Sequence, residues 1–570
     1  MRHSSAIVFS ILLPHLRPSY LVSAKPGRLP QYSTDADNNV INNYNERYTV
    51  SLTVAGTQVN AILDTGSTDM WVAPPNGLKD QVDETGAFAT IFYGDGSAFV
   101  NGSVELGDVE IAGNSIPHQA FINVLNSVGQ DSDFSNGIFG LVGLGFDGPS
   151  GSIPSSLTQN GLNGTDVGKA VLTSIFAQNP TNGQFFSLSL SRVGDVDDSA
   201  DASLTISGFD PKYAAVAESP LLFQFPYQSG RWGIVSDGIW ANNEQIRWKS
   251  FSESLQSLEQ NAVLLDTGTT NFLVPAEVRD AIYSSVPGAL VSRNSSIPNL
   301  KFSEDQDTWV LPCKAIVNLT TRFAGQDFPI HPLDLSDIVT LTTPNGKQYT
   351  ACLGSITNGG PILGPGLDAL YGDSFLRNVY SVFSFGDGPT PPHVQLLADT
   401  VINQAAADFI KVRVEQLENG FPELGPADLI RLFDGPNAII GGFPSITDAS
   451  PSGSANSDDM AGAGPSSSNS TCVPGLGSDL SELSTESSKN SVNLADSKWG
   501  PAIVGLLAAN LVILLVVAFF SVMNYVRNGR TTGVSKAADA RYVPVKLKED
   551  STFVPARTSY EEHGQERYSD

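Results

Sequence analysis

Basic residues are scarce in this chain: 32 Lys and Arg stand against 59 Asp and Glu in 570 residues, a formal net charge of −27 at pH 7. Phosphate repels such a surface, which argues against nucleic acid as a partner. An acidic working compartment fits the balance better, because protonation there relieves part of the self-repulsion. Cysteine is scarcer still, represented only by Cys313, Cys352 and Cys472. In an oxidising lumen the first two, about forty residues apart in a strand-rich region, can close a loop and stabilise by roughly 3–4 kcal/mol on the chain-entropy model. Cys472 is left over in a Ser-rich stretch, as a free thiol or an intermolecular bridge.

Long helical patterns are also few. From Tyr48 to about residue 400 short runs of Val, Ile, Leu, Phe and Thr alternate with Gly, Asn, Asp and Pro, an all-β pattern. The one clear helix follows Pro275, which opens Ala276-Glu277-Val278-Arg279-Asp280-Ala281-Ile282-Tyr283. A chain this long exceeds a single hydrophobic core, so at least two core-forming units are expected beside non-globular segments.

Residues 1–24 read as a secretory signal peptide, with Arg2 and His3 before an apolar stretch and Val22-Ser23-Ala24 as the cleavage site. His15 and Arg17 follow the apolar run early, so an uncleaved anchor is the alternative. A short segment, 25–47, leads into a first β unit at 48–212 and a second at 213–400. Residues 401–444 read as an appendage whose role the sequence does not define. From 445 to 498 the chain turns to Ser, Gly, Asp and Asn, too poor in apolar side chains to fold, and reads as an O-glycosylated stalk. Residues 501–523 are apolar apart from Asn510 and Ser521, long enough to cross a hydrocarbon layer of roughly 30 Å as a helix placed at 500–526. Arg527, Arg530, Lys536, Arg541, Lys546 and Lys548 follow, which puts the tail 527–570 in the cytosol. A glycolipid-anchor signal would not be followed by such a tail. Asn101, Asn163, Asn294, Asn318 and Asn469 each begin an Asn-X-Ser/Thr triplet on the lumenal side of this topology. In the tail, Tyr542-Val543-Pro544-Val545 has the form of an endocytic sorting signal, a pattern that also arises by chance.

One short phrase occurs twice. Ala61-Ile62-Leu63-Asp64-Thr65-Gly66-Ser67-Thr68 returns about two hundred residues later as Val263-Leu264-Leu265-Asp266-Thr267-Gly268-Thr269-Thr270. Each Asp ends an apolar run and precedes Thr-Gly, so each should sit at a strand-to-loop corner. If the corners face each other, the carboxyls cannot both ionise easily, and an acid and a base coexist at acidic pH.

These paired phrases resemble the pepsin-like aspartic proteases, and the resemblance spans about Tyr48 to residue 400. It implies an all-β, bilobal fold with the active-site cleft between the lobes, followed here by a disordered stalk and one transmembrane helix. Asp64 and Asp266 would then hold one water between them; Gly66 and Gly268 let backbone approach the carboxyls, and the hydroxyls of Ser67 and Thr269 donate to their outer oxygens. Thr65 and Thr267 would brace the two loops across the lobe interface. Ile91-Phe92-Tyr93-Gly94-Asp95-Gly96-Ser97 resembles the family's flap hairpin, with Tyr93, Gly94 and Asp95 over the substrate and the Trp71 indole holding the Tyr93 hydroxyl. Taken alone, Tyr93 is a hairpin residue and Trp71 a core residue. Leu141-Val142-Gly143 and Leu370-Tyr371-Gly372 match the apolar pairs ending in Gly that follow each Asp in the family.

The resemblance implies peptide or protein substrates, a monomer, no metal and no organic cofactor, and the stalk and span are similar to those of fungal surface proteases. Two departures stand out. Between the expected cleavage after Ala24 and Arg47 only Lys25 and Arg28 are basic, too few for the family's basic prosegment, and the first unit has no cysteine for a flap disulfide. The rival readings are an inactive protease fold used as a binding or adhesion ectodomain, and a structural wall glycoprotein. The second leaves the paired phrases unexplained.

Overall fold

In the computed structural model the described residues are 40–442, apart from 95, 150, 197–201, 299–306, 344 and 437. The expected signal peptide, stalk, span at 500–526, cytoplasmic tail, Cys472, Asn469 and Asp95 lie outside them. Among the described residues no helix is long and apolar enough to cross a membrane.

The described chain is mostly β. In the first lobe the period-two runs become eight strands in the order Val40–Asn43, Arg47–Val54, Thr57–Asp64, Gly140–Gly143, Met70–Val72, Asn114–Val128, Ala98–Ile111 and Asp83–Tyr93. The strand ending in Asp64 pairs in parallel with Gly140–Gly143, setting Leu63 beside Val142 and Asp64 beside Gly143. Gly140–Gly143 pairs antiparallel with Met70–Val72 on its other side. The second lobe repeats this arrangement: Asn261–Leu265 runs parallel to Ala369–Tyr371, with Leu265 beside Tyr371, and Ala369–Tyr371 runs antiparallel to Phe272–Val274. All the residues of Gly140–Gly143, Asn261–Leu265 and Ala369–Tyr371 are buried, as continuous apolar runs require when a strand is covered on both faces.

A third sheet joins the lobes. Its order is Ser203–Ile206, Phe185–Ser189, Val379–Ser384, His393–Ala398, Leu222–Phe223. Phe185–Ser189, read as part of the first unit, therefore hydrogen-bonds to Val379–Ser384 of the second, and the boundary at 212/213 crosses one continuous sheet. Trp232 seals this junction: its ring is 1% exposed, packs on Phe146, Phe186, Phe383 and Phe385, and donates from Nε1 to the Leu144 carbonyl at 2.9 Å. One buried apolar cluster runs through both lobes, from Val50 and Leu63 to Leu265 and Leu396.

The segment read as an appendage is built into the second lobe. Helices Ile402–Asn419 and Pro426–Asp434 lead to the strand Ile439–Gly442, which pairs antiparallel with Leu290–Arg293 as the fifth strand of a sheet. Leu429 and Ile430 are fully buried against Val310, Leu341 and Leu353 of that sheet. Cys313 and Cys352 form the expected disulfide, closing a separation of 39 residues in the same region. The helix opened by Pro275 spans Ala276–Ser284, with Pro275 at its N-cap and Val278, Ile282 and Tyr283 buried.

Candidate active site

Asp64 is the last residue of its strand and Asp266 directly follows Leu265, so both carboxyls sit at the strand-to-loop corners the phrases predict. Parallel pairing fixes the height of each corner. Asp64 accepts from its own loop, Oδ1 from the Gly66 N–H at 2.8 Å and Oδ2 from the Ser67 hydroxyl. Asp266 repeats the pattern, with Oδ1 taking the Gly268 N–H and Oδ2 the Thr269 hydroxyl, both at 2.8 Å. Side-chain rotation is locked, and one edge of each carboxyl remains for the opposite loop.

The two loops are tied reciprocally. The Thr65 N–H donates to Thr267 Oγ1 and the Thr267 N–H to Thr65 Oγ1, each at 3.0 Å. The hydroxyls continue across the interface, Thr65 to the Leu265 carbonyl at 2.9 Å and Thr267 to the Leu63 carbonyl at 2.6 Å. Both threonines are completely buried, so these four bonds are screened from water and any one left unmade costs about 1–3 kcal/mol. The braces press the loops together. A methyl on Gly66 would lie 2.5 Å from Asp266 Oδ1, and one on Gly268 2.5 Å from Asp64 Oδ1. Neither position tolerates a side chain while the opposite carboxyl stays in place.

Burial comes first among the causes that raise Asp64, followed by the negative charge of Asp266; together they push it up to about 8 against the Ser67 and Gly66 donors. Only 5% of Asp64 and 8% of Asp266 is exposed. Like charges this close share a proton, and that proton belongs to the pair.

Above this floor, Tyr93 ends the hairpin strand Asp83–Tyr93, and its hydroxyl accepts from Trp71 Nε1 at 2.6 Å. The Gly96 N–H closes the turn on the Tyr93 carbonyl at 2.9 Å, and Gly94 takes positive φ within it. Burial, then the charge on Asp64, raises the Tyr93 phenol, so it stays protonated. Trp71 is both of the things the sequence allowed: a core side chain, 1% exposed, and the donor that fixes Tyr93.

Three contributors were not singled out by the sequence. Asp69 accepts from the Ser152 N–H at 2.7 Å and steadies the start of helix Ser152–Gln159 behind the first loop. Asp373 follows the apolar pair Leu370-Tyr371 and Gly372; its N–H donates to the Thr269 carbonyl at 2.8 Å, while its fully buried carboxyl has no hydrogen-bond partner among the described residues. Burial raises that carboxyl well above the usual range. Arg47, one residue before the expected start of the first unit, donates to Thr270 Oγ1 at 2.9 Å. For Asp373, the signal was its place directly after an apolar-Gly pair.

Of the triplet asparagines, Asn163 and Asn294 are exposed, while Asn101 and Asn318 are half-buried. Asn101 lies on the flap, its amide donating to Thr90 Oγ1 at 2.7 Å.

The family model described as eukaryotic aspartyl protease matches residues 47–389. An aspartic protease of Phaffia rhodozyma is 26% identical over 357 residues, covering 60% of this chain and 74% of that protein. Polyporopepsin of Irpex lacteus is 25% identical over 334 residues, covering 57% of this chain and 87% of that protein. The crystal structure of an aspartic proteinase from Irpex lacteus matches 64% of this chain and 97% of its own at 18% identity, with a TM-score of 0.46. A family match over more than half of the sequence identifies the chain as an aspartic endopeptidase of the eukaryotic aspartyl protease family.

Proposed function

We propose that Asp64 and Asp266 are the catalytic pair of this endopeptidase, and that the enzyme faces the lumen or cell exterior from a single-span type I anchor. One observation carries the catalytic part: the reciprocal threonine braces hold the loops so close that a single methyl on either glycine would reach the opposite carboxyl. A water held between the carboxyls is then bound by both. The ionised carboxylate takes a proton from that water as its oxygen attacks the scissile carbonyl carbon, while the protonated carboxyl donates to the carbonyl oxygen. Collapse of the tetrahedral species breaks the C–N bond as the departing nitrogen takes up a proton, so no covalent intermediate forms. Ser67, Thr269 and the two glycine N–H groups hold the carboxyl planes fixed through the cycle, which is what pre-organisation requires. Tyr93, steadied by Trp71, closes over a bound peptide from the flap.

The anchoring part rests on the sequence: a signal at 1–24, a stalk at 445–498, a span at 500–526 and a basic tail beyond it. Among the described residues Asn163 and Asn294 are the exposed glycan acceptors, and the stalk carries Asn469.

The test is peptide cleavage from about pH 3 to about pH 7 by wild type, Asp64→Asn and Asp266→Asn. Wild type cleaves on the acid side, and each variant loses on the order of 10²–10⁴-fold in kcat. Undiminished cleavage by either variant defeats the assignment; peptide binding without cleavage by wild type supports the binding-ectodomain reading instead.

A further inference from the structure

Arg47 is an unusual presence in a chain so short of cations. It begins the strand Arg47–Val54, and its side chain, 31% exposed, reaches between the two lobes. Its Nη1 donates to Thr270 Oγ1 at 2.9 Å and to the Glu46 carbonyl at 2.8 Å, and its Nε lies 3.4 Å from Asp133 Oδ1. Each partner adjoins the active site. Thr270 follows Thr269, whose hydroxyl holds Asp266, and Asp133 precedes Phe134, whose ring meets Trp71 edge-on with centroids 6.5 Å apart. Trp71 in turn holds the flap Tyr93. The guanidinium thus lies between the second Asp loop and the residues that lead to Trp71 and Tyr93. Its remaining nitrogen, Nη2, makes no hydrogen bond among the described residues, and Asp133 lies 3.4 Å from Nε.

We infer that Arg47 forms a cationic subsite that selects peptides carrying an Asp or Glu side chain a few residues from the scissile bond. This rests on the catalytic reading of Asp64 and Asp266. With Nε turned to Asp133 and Nη1 spent on Thr270 and Glu46, the N–H groups of Nη2 are left to donate to a substrate carboxylate. The surroundings sharpen the choice. A net charge of −27 repels acidic peptides over most of the surface, so a fixed cation at the cleft gives the attractive element that lets an acidic side chain be accepted in one register and refused in others. Arg47 is therefore a specificity-determining residue, and the lobe tie to Thr270 holds it in place.

The experiment uses the full-length enzyme and internally quenched peptides in which Glu, Gln or Lys stands in turn at each of the four positions on either side of the cleaved bond, at about pH 5. Ratios of kcat/KM are compared within each enzyme, so the amount of activity a variant retains does not enter. For wild type, one position prefers Glu over Gln by about tenfold. In Arg47→Gln that ratio falls to near one, in Arg47→Lys it is reduced without vanishing, and in Arg47→Glu the same position turns to favour Lys. A Glu-to-Gln ratio that survives in Arg47→Gln, or no position preferring Glu in wild type, overturns the proposal and leaves Arg47 as a tie between Asp133 and Thr270. If wild type cleaves none of the peptides while Asp64→Asn binds them equally well, it is the catalytic reading that fails, and the subsite falls with it.

Discussion

The two Asp loops are near copies at the carboxyl and in the strands that carry it, and they differ in the residues that follow the supporting glycines. Each has the same Thr brace, the same glycine approach and the same hydroxyl on the outer oxygen, Ser67 in one and Thr269 in the other. Behind the first loop, Gly143 is followed by the apolar Leu144, whose N–H donates to the Asp64 carbonyl at 2.8 Å and whose carbonyl takes the Trp232 indole. Behind the second, Gly372 is followed by Asp373, a buried carboxyl without a hydrogen-bond partner among the described residues, within the fields of Arg47 and Arg377. The hairpin strand that ends in Tyr93 belongs to the first lobe. The symmetry holds at the carboxyls and in the paired strands beneath them, and breaks at the residue after each supporting glycine.

The comparison can be broken most severely at the glycines. Gly66→Ala and Gly268→Ala should each lower kcat by at least about 10²-fold, because the added methyl displaces the opposite carboxyl by an ångström or more. Equal losses in folded protein, checked by near-ultraviolet circular dichroism beside the kinetics, support the symmetry; a harmless change at one of the two would show that the loops do not approach alike. The flap tests the asymmetry. Trp71→Phe removes the donor to Tyr93 and should lower kcat/KM by about tenfold, most of it in kcat, while leaving the second loop's geometry untouched.

The smallest effect is in stability against pH. The folded Asp64 carboxyl titrates higher than an unfolded one, so the folded state binds more protons between about pH 4 and about pH 8. Its contribution is therefore fully present below the unfolded value and is lost as pH rises through the folded value, with a slope of at most about 1.4 kcal/mol per pH unit. Asp64→Asn should flatten that fall in denaturant titrations. Asp373→Asn behind the second loop and Asp69→Asn behind the first should each flatten a separate share of it, since burial raises both carboxyls too. A slope unchanged by all three variants would mean that none of these carboxyls is held protonated.

Much of the site was legible because its determinants are short-range. An apolar run ending in Asp-Thr-Gly specifies a buried strand and a corner within eight residues, and repetition supplies the partner. Tyr93 and Trp71 were legible for the same reason, each lying on a strand whose turn signals are local. What escaped was pairing at a distance. Nothing in the period of Phe185–Ser189 says that its partner is Val379–Ser384, nearly two hundred residues on, so the lobe boundary fell inside a sheet. The helix Pro426–Asp434 has an apolar face that the sequence could mark, but not the sheet that would cover Leu429 and Ile430. Arg47 and Asp373 escaped because a polar residue beside a turn is ordinarily solvated, and only the fold turns these two inward.

The central claim is that Asp64 and Asp266 act as one acid-base unit. The most direct measurement is kcat for Asp64→Asn, Asp266→Asn and the double variant under identical conditions. If the pair shares one proton and one water, either single change disables the unit and the double variant falls no further than the singles. Losses that multiply in the double variant would contradict the account, since they would mean two carboxyls contributing independently.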